Sequence, residues 1–195
     1  MRATVLRRLG LLLAALCWCA VARGEEPLRS GPQPGETLPG SFEPLNVTGE
    51  YAGEHYCLVC AAGLQPEVMI FARTVNAPLF TLLERLEAAV GQHEKAGLGA
   101  FAVILSEADG LEKQLRDEAE KHHLKQVLLA IDSPDGPDGY ALAKDADVTV
   151  VLYVQHEVRA NHALRRDQLD SKAIDRILAD LPKILPAEKA GGGDR

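Results

Sequence analysis

The chain has 195 residues, and its 21 basic and 28 acidic side chains give a formal net charge of −7 at pH 7. This length suits one domain with short appendages. The acidic balance argues against nucleic acid and anionic membrane surfaces as partners, because no basic cluster follows the N-terminal segment.

Residues 1–22 have the layout of a secretory signal peptide. Arg2, Arg7 and Arg8 form a basic start, residues 9–20 are almost wholly apolar, and an Ala-Val-Ala stretch offers small residues for cleavage. The apolar run is too short to span a membrane comfortably. We therefore predict an exported protein, in a periplasm or outside the cell, with no membrane partner after the signal peptide is removed.

Removal of that segment changes both the charge and the cysteine count. It takes away three basic residues and two cysteines, which leaves 18 basic against 28 acidic residues, a net charge of −10. The remaining cysteines, Cys57 and Cys60, have the C-x-x-C spacing that is typical of a redox dithiol. Since an exported protein meets an oxidising compartment, these two are free to pair with each other.

The mature chain divides into three parts by composition. Residues 23–37 are rich in Pro, Gly and Glu, and we predict a flexible lead-in there. Residues 187–195 contain three consecutive glycines and are predicted to form a disordered tail. The segment between them, residues 38–186, is predicted to fold as one domain.

The first half of this domain alternates between strand and helix. Glu67–Ala72 is a short apolar run that suits a buried strand, and Asn76 then caps a helix with Pro78 in its first turn. Apolar residues recur in this helix at the spacing of one buried face, namely Leu79, Leu82, Leu83, Leu86 and Val90. Residues 100–105 predict a second buried strand, followed by a helix over Leu111–Lys121 with a charged outer face.

The second half begins with a third apolar strand at residues 127–131 and a loop rich in turn residues. Residues 148–153 and 157–161 predict two further strands that are joined by a short turn, as in a hairpin. Ser171 is predicted to cap a final helix, whose inward face would be Ile174, Ile177, Leu178, Leu181 and Ile184. Strands that alternate with helices imply parallel crossovers, and a terminal hairpin makes the sheet mixed. We predict a three-layer α/β sandwich.

This order of elements is similar to that of the thioredoxin fold. The segment PGETLPGSFEPLNVTG, residues 34–49, resembles the opening of the redoxin and peroxiredoxin branch, where Gly-x-x-x-Pro-x-x-Phe precedes a short hairpin. VTVVLYVQHEVRANHAL, residues 148–164, is similar to the terminal hairpin of these proteins. The resemblance covers residues 34–185 and implies a secreted thioredoxin-like redoxin whose C-x-x-C pair is displaced upstream of the first core strand.

Two departures from that resemblance exclude a standard peroxiredoxin. In these families the reactive cysteine lies where the first strand meets the first helix, but here the junction, ARTVNAPLF, contains Thr74 and no cysteine. A hydroxyl cannot perform peroxidatic sulfur chemistry. The second departure is Val148, which stands where these families have a cis-proline.

Our main hypothesis is that Cys57 and Cys60 act as a displaced dithiol that exchanges with protein thiols and disulfides, or with small thiols, without a cofactor. His55, two residues before Cys57, could stabilise a thiolate when protonated or pass on a proton. The pair is expected at the start of the first core strand, ~17–20 Å from the usual active-site edge and away from a helix N-terminus.

Two alternatives treat the chain as a non-catalytic binding module of the same fold. In the first, the pair is a structural disulfide that fastens the lead-in to the sheet. In the second, HYCLVC supplies one imidazole and two sulfurs to copper or zinc, a set that is one ligand short of a closed zinc site. His162 is a candidate fourth ligand if the loop that carries the cysteines folds over it.

Overall fold

The computed structural model describes residues 27–187. The predicted signal peptide, the first residues of the lead-in and residues 188–195 of the predicted tail lie outside the described residues. Within the described part of the chain, no helix is long and apolar enough to cross a membrane.

Six strands form one mixed sheet across residues 27–187, in the spatial order β1-β4-β3-β2-β5-β6. Strands β2, β3 and β4 are parallel to one another, whereas β1, β5 and β6 are each antiparallel to their neighbours. This confirms the predicted mixed sheet. The strands are β1 (Leu45–Asn46), β2 (Glu67–Ala72), β3 (Gly99–Leu105), β4 (Val127–Asp132), β5 (Val148–Val154) and β6 (Glu157–Leu164).

Three of the four α-helices in the described residues cover one face of the sheet. Their apolar sides share a single core with alternate residues of the central strands. The other face is covered by a short helix, by the lead-in and by the loop between β4 and β5. The helices are α1 (Leu58–Ala62), α2 (Ala77–Gln92), α3 (Leu111–Lys121) and α4 (Ser171–Ala179). A short 3-10 turn follows α2 at Glu94–Ala96, and another follows α4 at Leu181–Lys183.

Local side-chain contacts explain where the helices begin. The Asn76 side chain accepts a hydrogen bond from the Leu79 N–H at 3.0 Å, which confirms the predicted cap of α2. In α4 the prediction was wrong by one residue. Asp170 is the cap, since it is extended and its carboxylate accepts from the Ala173 N–H at 2.7 Å, and Ser171 is the first helical residue.

The predicted hairpin near the C-terminus is present as β5 and β6. Gln155 and His156 form its turn with φ angles of 54° and 62°, and positive φ at both central residues is what a tight type I′ hairpin requires. Strand β6 extends to Leu164, three residues beyond the predicted end. The reason is that its pairing with β5 continues to Val148, the first residue of that strand.

The described end of the lead-in, residues 27–37, makes contacts with the sheet. Ser30 is buried and its hydroxyl lies 2.7 Å from that of Thr149 on β5. Further along, the Leu38 N–H donates to the His156 carbonyl at 2.8 Å, and the Val158 N–H donates to the Glu36 carbonyl at 2.9 Å. These backbone hydrogen bonds hold the described part of the lead-in against the edge strand β6.

We expect Asn76→Ala to lower the free energy of unfolding by about 1 kcal/mol, because α2 loses its side-chain cap. Asn76→Asp serves as the matched control, since aspartate can accept the same hydrogen bond. Urea unfolding of the three proteins measures the difference. Equal stability of the alanine variant and the wild type would contradict the assigned cap.

Candidate functional site

The candidate site is a disulfide at the start of α1. Cys57 and Cys60 are joined, with their Cα atoms 5.2 Å apart. Cys57 is the N-cap of α1, and its Sγ accepts a hydrogen bond from the Cys60 N–H at 3.0 Å. The prediction that the pair sits away from a helix N-terminus is therefore wrong, because α1 is a five-residue helix that the sequence pattern did not indicate.

The two cysteines differ sharply in exposure. Cys57 is only 7% exposed and belongs to the apolar cluster on the face of the sheet opposite α2. Leu58 and Val59, the next residues of α1, belong to the same cluster. Cys60 is exposed. One turn of helix thus places one sulfur-bearing residue in the core and the other at the surface.

Cys60 lines a cavity of about 360 Å³ between α1 and the lead-in. One side is formed by Thr37 at the end of the lead-in and by Leu38, Gly40 and Ser41 just after it, and His156 closes the cavity from the β5–β6 turn. The lining is mainly apolar, with two hydroxyls and one imidazole as its polar side chains. This composition allows an organic group to approach the disulfide while a proton-exchanging group stands close by.

The cavity lies at the end of the sheet where β2 begins. Glu67, the first residue of β2, pairs with Tyr153 of β5, and the Gln155 N–H donates to the Leu64 carbonyl at 3.3 Å. The strand's six residues span ~20 Å, and its last residue, Ala72, pairs with Val148 at the far end. The cavity that Cys60 lines and the β2–α2 junction therefore lie toward opposite ends of β2.

At the β2–α2 junction, the side chains of Arg73 and Thr74 form hydrogen bonds with the β4–β5 loop. The Arg73 guanidinium donates to the Ala146 carbonyl at 3.1 Å and to the Pro134 carbonyl. The Thr74 hydroxyl donates to the Asp147 carboxylate at 2.6 Å. These contacts hold the β4–β5 loop against the end of β2, so the side chains at the junction have a structural role.

His55 lies on the surface close to the site in sequence, but its ring contacts another group. The Nδ1 atom lies 3.0 Å from the Glu43 carbonyl, to which it can donate. Within residues 27–187, no hydrogen bond joins the His55 ring to Cys57 or Cys60.

His162 is on the wrong face of the sheet to join the cysteines. It follows Ala160 on β6 and precedes Leu164, and these two residues pack in the core under α4, whereas Cys57 packs in the cluster on the opposite face. Its Nε2 lies 3.1 Å from the Asp180 carboxylate. The idea that His162 completes a metal site is therefore wrong. Among the described residues, no group of three or more His, Cys, Asp or Glu side chains is arranged to hold a metal ion.

Sequence reasoning missed a buried carboxyl group at the same end of β2. Glu67 is 7% exposed, and its Oε2 has no hydrogen-bond partner among the described residues. Gly99 on β3 makes room for it, because a Cβ there would lie 1.9 Å from Oε1. Burial raises the pKa of Glu67 to about 8, so the carboxyl is mostly protonated at pH 7.

Tyr153 is the cross-strand partner of Glu67 and is also fully buried, with its hydroxyl unpaired among the described residues. Burial raises its pKa, and the nearby Glu67 adds to that shift. In the sequence, Glu67 was only the polar first residue of an apolar run. Its burial depends on the missing side chain of Gly99, thirty-two residues later, and no local pattern indicates it.

Solved structures with this fold include three from different organisms. A "putative thiol:disulfide interchange protein DsbE" from Chlorobium tepidum is 16% identical, with a TM-score of 0.51 over 79% of this chain and 99% of that one. A mutant peroxiredoxin 6 of Arenicola marina is 13% identical, with a TM-score of 0.55 over 78% of this chain and 73% of that one.

Peroxidoxin BcpB from Mycobacterium tuberculosis is 14% identical, with a TM-score of 0.53 over 82% of this chain and 99% of that one. No protein-family model matches the sequence, and no curated protein matches it. These likenesses confirm the thioredoxin-like α/β fold that the order of strands and helices predicted.

We expect the stability of the protein to fall as pH rises from about 4.5 to 8. The folded state keeps a proton on Glu67 in this window while the unfolded chain, with an ordinary carboxyl pKa of 4.5, has released it. Each pH unit therefore costs up to ~1.4 kcal/mol. Glu67→Gln should flatten this slope, whereas Glu94→Gln, at an exposed position, should keep it. Denaturant unfolding between pH 5 and 8 measures the slopes, and parallel slopes for wild type and Glu67→Gln would contradict the assignment.

Proposed function

We propose that this chain is an exported thiol–disulfide exchange protein in which Cys57 and Cys60 are the reacting pair. The observation that carries the proposal is the disulfide itself, which places Cys60 at the surface beside a cavity on a thioredoxin-like scaffold. The Chlorobium tepidum protein, described as a "putative thiol:disulfide interchange protein", supports the same class of reaction. The substrates would be protein thiols and disulfides, or small thiols.

The chemistry needs only sulfur and protons. A thiolate attacks one sulfur of the disulfide, a mixed disulfide forms, and the other sulfur leaves as a thiolate. A second thiolate then releases the oxidised product and leaves the pair reduced. His55 could stabilise a thiolate modestly by its charge when protonated.

A second candidate function is structural, and one observation favours it. Cys57 is buried in the apolar cluster together with Leu58 and Val59, so the bridge also helps to fasten α1 against the sheet. A ring closed by two cysteines only three residues apart, however, removes little entropy from the unfolded chain. Exchange therefore accounts better for an exposed Cys60 beside a cavity than stability does.

We expect a reversible bridge whose reduction potential lies between those of thioredoxin and DsbA, about −270 and −120 mV. Cys57→Ser and Cys60→Ser should each abolish turnover of a small disulfide substrate, because one cysteine cannot close the ring. Both should remain folded, since the strands carry the core. Equilibration in glutathione or dithiothreitol buffers, with trapping of free thiols, measures the potential.

Two outcomes would support the alternatives instead. A bridge that stays closed under strong reductant, or a serine variant that unfolds, would make the pair a structural disulfide. Thiols that stay free in air and retain stoichiometric copper or zinc would make it a metal site.

We also expect residues 1–22 to be absent from the mature protein, since they combine a basic start, an apolar run and small residues. Intact mass spectrometry of the exported protein, expressed in full length, measures the cleavage. An exported species that still carries Arg2 would contradict this prediction.

A further inference from the structure

We propose that Cys60, and not Cys57, is the sulfur that an incoming thiol attacks, and that His156 exchanges the proton in the same cavity. This inference rests on the proposed exchange function and assigns the order of events within it.

Cys57 and Cys60 differ in how easily an incoming thiolate can reach them. Exchange requires an incoming thiolate to reach the sulfur that it attacks. Cys60 is exposed and lines the cavity of about 360 Å³ between α1 and the lead-in. Cys57 is 7% exposed and belongs to the same buried apolar cluster as Leu58 and Val59 of α1. A thiol that enters the cavity therefore meets Cys60 first.

Cys57, whose sulfur would leave when Cys60 is attacked, accepts a stabilising hydrogen bond. The Cys60 backbone N–H donates to the Cys57 Sγ at 3.0 Å. A hydrogen bond to the charged form of an acid favours that form, so this contact stabilises a thiolate on Cys57. Within residues 27–187, no hydrogen bond is made to the Cys60 sulfur. Attack on Cys60, which releases Cys57, thus has both the open approach and the better leaving group.

His156 is the one histidine among the residues that line the cavity. Its backbone is anchored, because the Leu38 N–H donates to its carbonyl at 2.8 Å and its φ of 62° belongs to the β5–β6 turn. The other lining side chains are aliphatic or hydroxyl-bearing, apart from Cys60 itself. An imidazole in this position can take a proton from an entering thiol and return it later.

The carboxylates of the two acidic residues on the segments that flank His156 are engaged with other partners. Glu157, the next residue along β6, forms an ion pair with Arg159 at 3.0 Å. Glu36 of the lead-in accepts a hydrogen bond from the Gln33 N–H at 2.8 Å. Cys60 on α1 is the titratable group that shares the cavity with His156 once the bridge is reduced.

His156 takes the proton of a first substrate thiol, whose sulfur attacks the Cys60 Sγ, and the electron pair of the broken bond passes to Cys57. A second substrate thiolate attacks the substrate sulfur of the mixed disulfide, and Cys60 leaves as a thiolate that takes the proton from His156. The Cys57 thiolate takes the second thiol's proton through solvent. Two thiols are oxidised to one disulfide, and the protein disulfide is reduced to a dithiol.

The first test compares the two single-cysteine variants with 5,5′-dithiobis(2-nitrobenzoate). The thiol of Cys57→Ser, which retains Cys60, should react about ten-fold faster or more than that of Cys60→Ser, because burial protects Cys57. In guanidinium chloride the two rates should converge. Equal rates in the folded proteins, or a faster Cys57, would overturn the assignment.

A second measurement covers the case in which a serine variant does not fold. Reduced wild-type protein is treated with less than one equivalent of iodoacetamide, and the labelled peptide is identified by mass. Label mainly on Cys60 is expected, and label mainly on Cys57 overturns the assignment.

The role of His156 is tested with His156→Asn, since asparagine tolerates a left-handed backbone. The matched control is His123→Asn, because His123 is exposed, has a similar φ of 55° and lies after α3, outside the cavity. His156→Asn should slow exchange at pH 7 roughly ten-fold and make the rate rise more steeply with pH, because only thiol that has ionised in solution can then attack, whereas the control should match the wild type. An unchanged rate and profile in His156→Asn would overturn the role of His156.

The outcomes also separate this inference from the proposed function. A wild-type bridge that no thiol can open would overturn both. A bridge that opens readily but reacts first at Cys57 would leave the exchange function in place and overturn only the order of attack.

Discussion

The central strand β2 sets the main constraint on this structure. All six of its residues are buried, and it pairs with β3 on one side and β5 on the other. A strand in this position needs apolar cover on both faces of the sheet. Helices α2, α3 and α4 cover one face. The opposite face has only one short helix in the described residues, so irregular segments must supply the rest of its cover.

Because this face has few helices, irregular segments of the chain cover it around the disulfide. The lead-in, α1 and the β4–β5 loop together form the second covering layer, where Phe42 packs against Phe71 and Tyr140. The Tyr140 hydroxyl donates to the Gly40 carbonyl at 2.7 Å and so joins the loop to the lead-in. Cys57 points into this layer while Cys60 remains at its surface. Covering this face of the sheet with α1 therefore buries Cys57 and leaves Cys60 exposed.

The two ends of β2 have different surroundings. At the end where β2 meets α2, Arg73 and Thr74 hold a loop in place. At the other end lie the buried Glu67 and the cavity that Cys60 lines. An unpaired buried carboxyl is unfavourable when charged, so its protonated form is retained there. The buried carboxyl group and the cavity thus lie at one end of β2, and the contacts that hold the β4–β5 loop lie at the other.

Local sequence patterns were enough to predict the apolar strands, the Asn76 cap, the spacing of buried residues in α2 and the turn at Gln155 and His156. Each of these depends on residues within one or two turns of chain. The packing of the lead-in, the place of α1, the face on which His162 lies and the burial of Glu67 emerge only in the folded protein. These depend on contacts between residues far apart in the chain, such as Glu67 with Gly99, and on strand register, which no local pattern encodes.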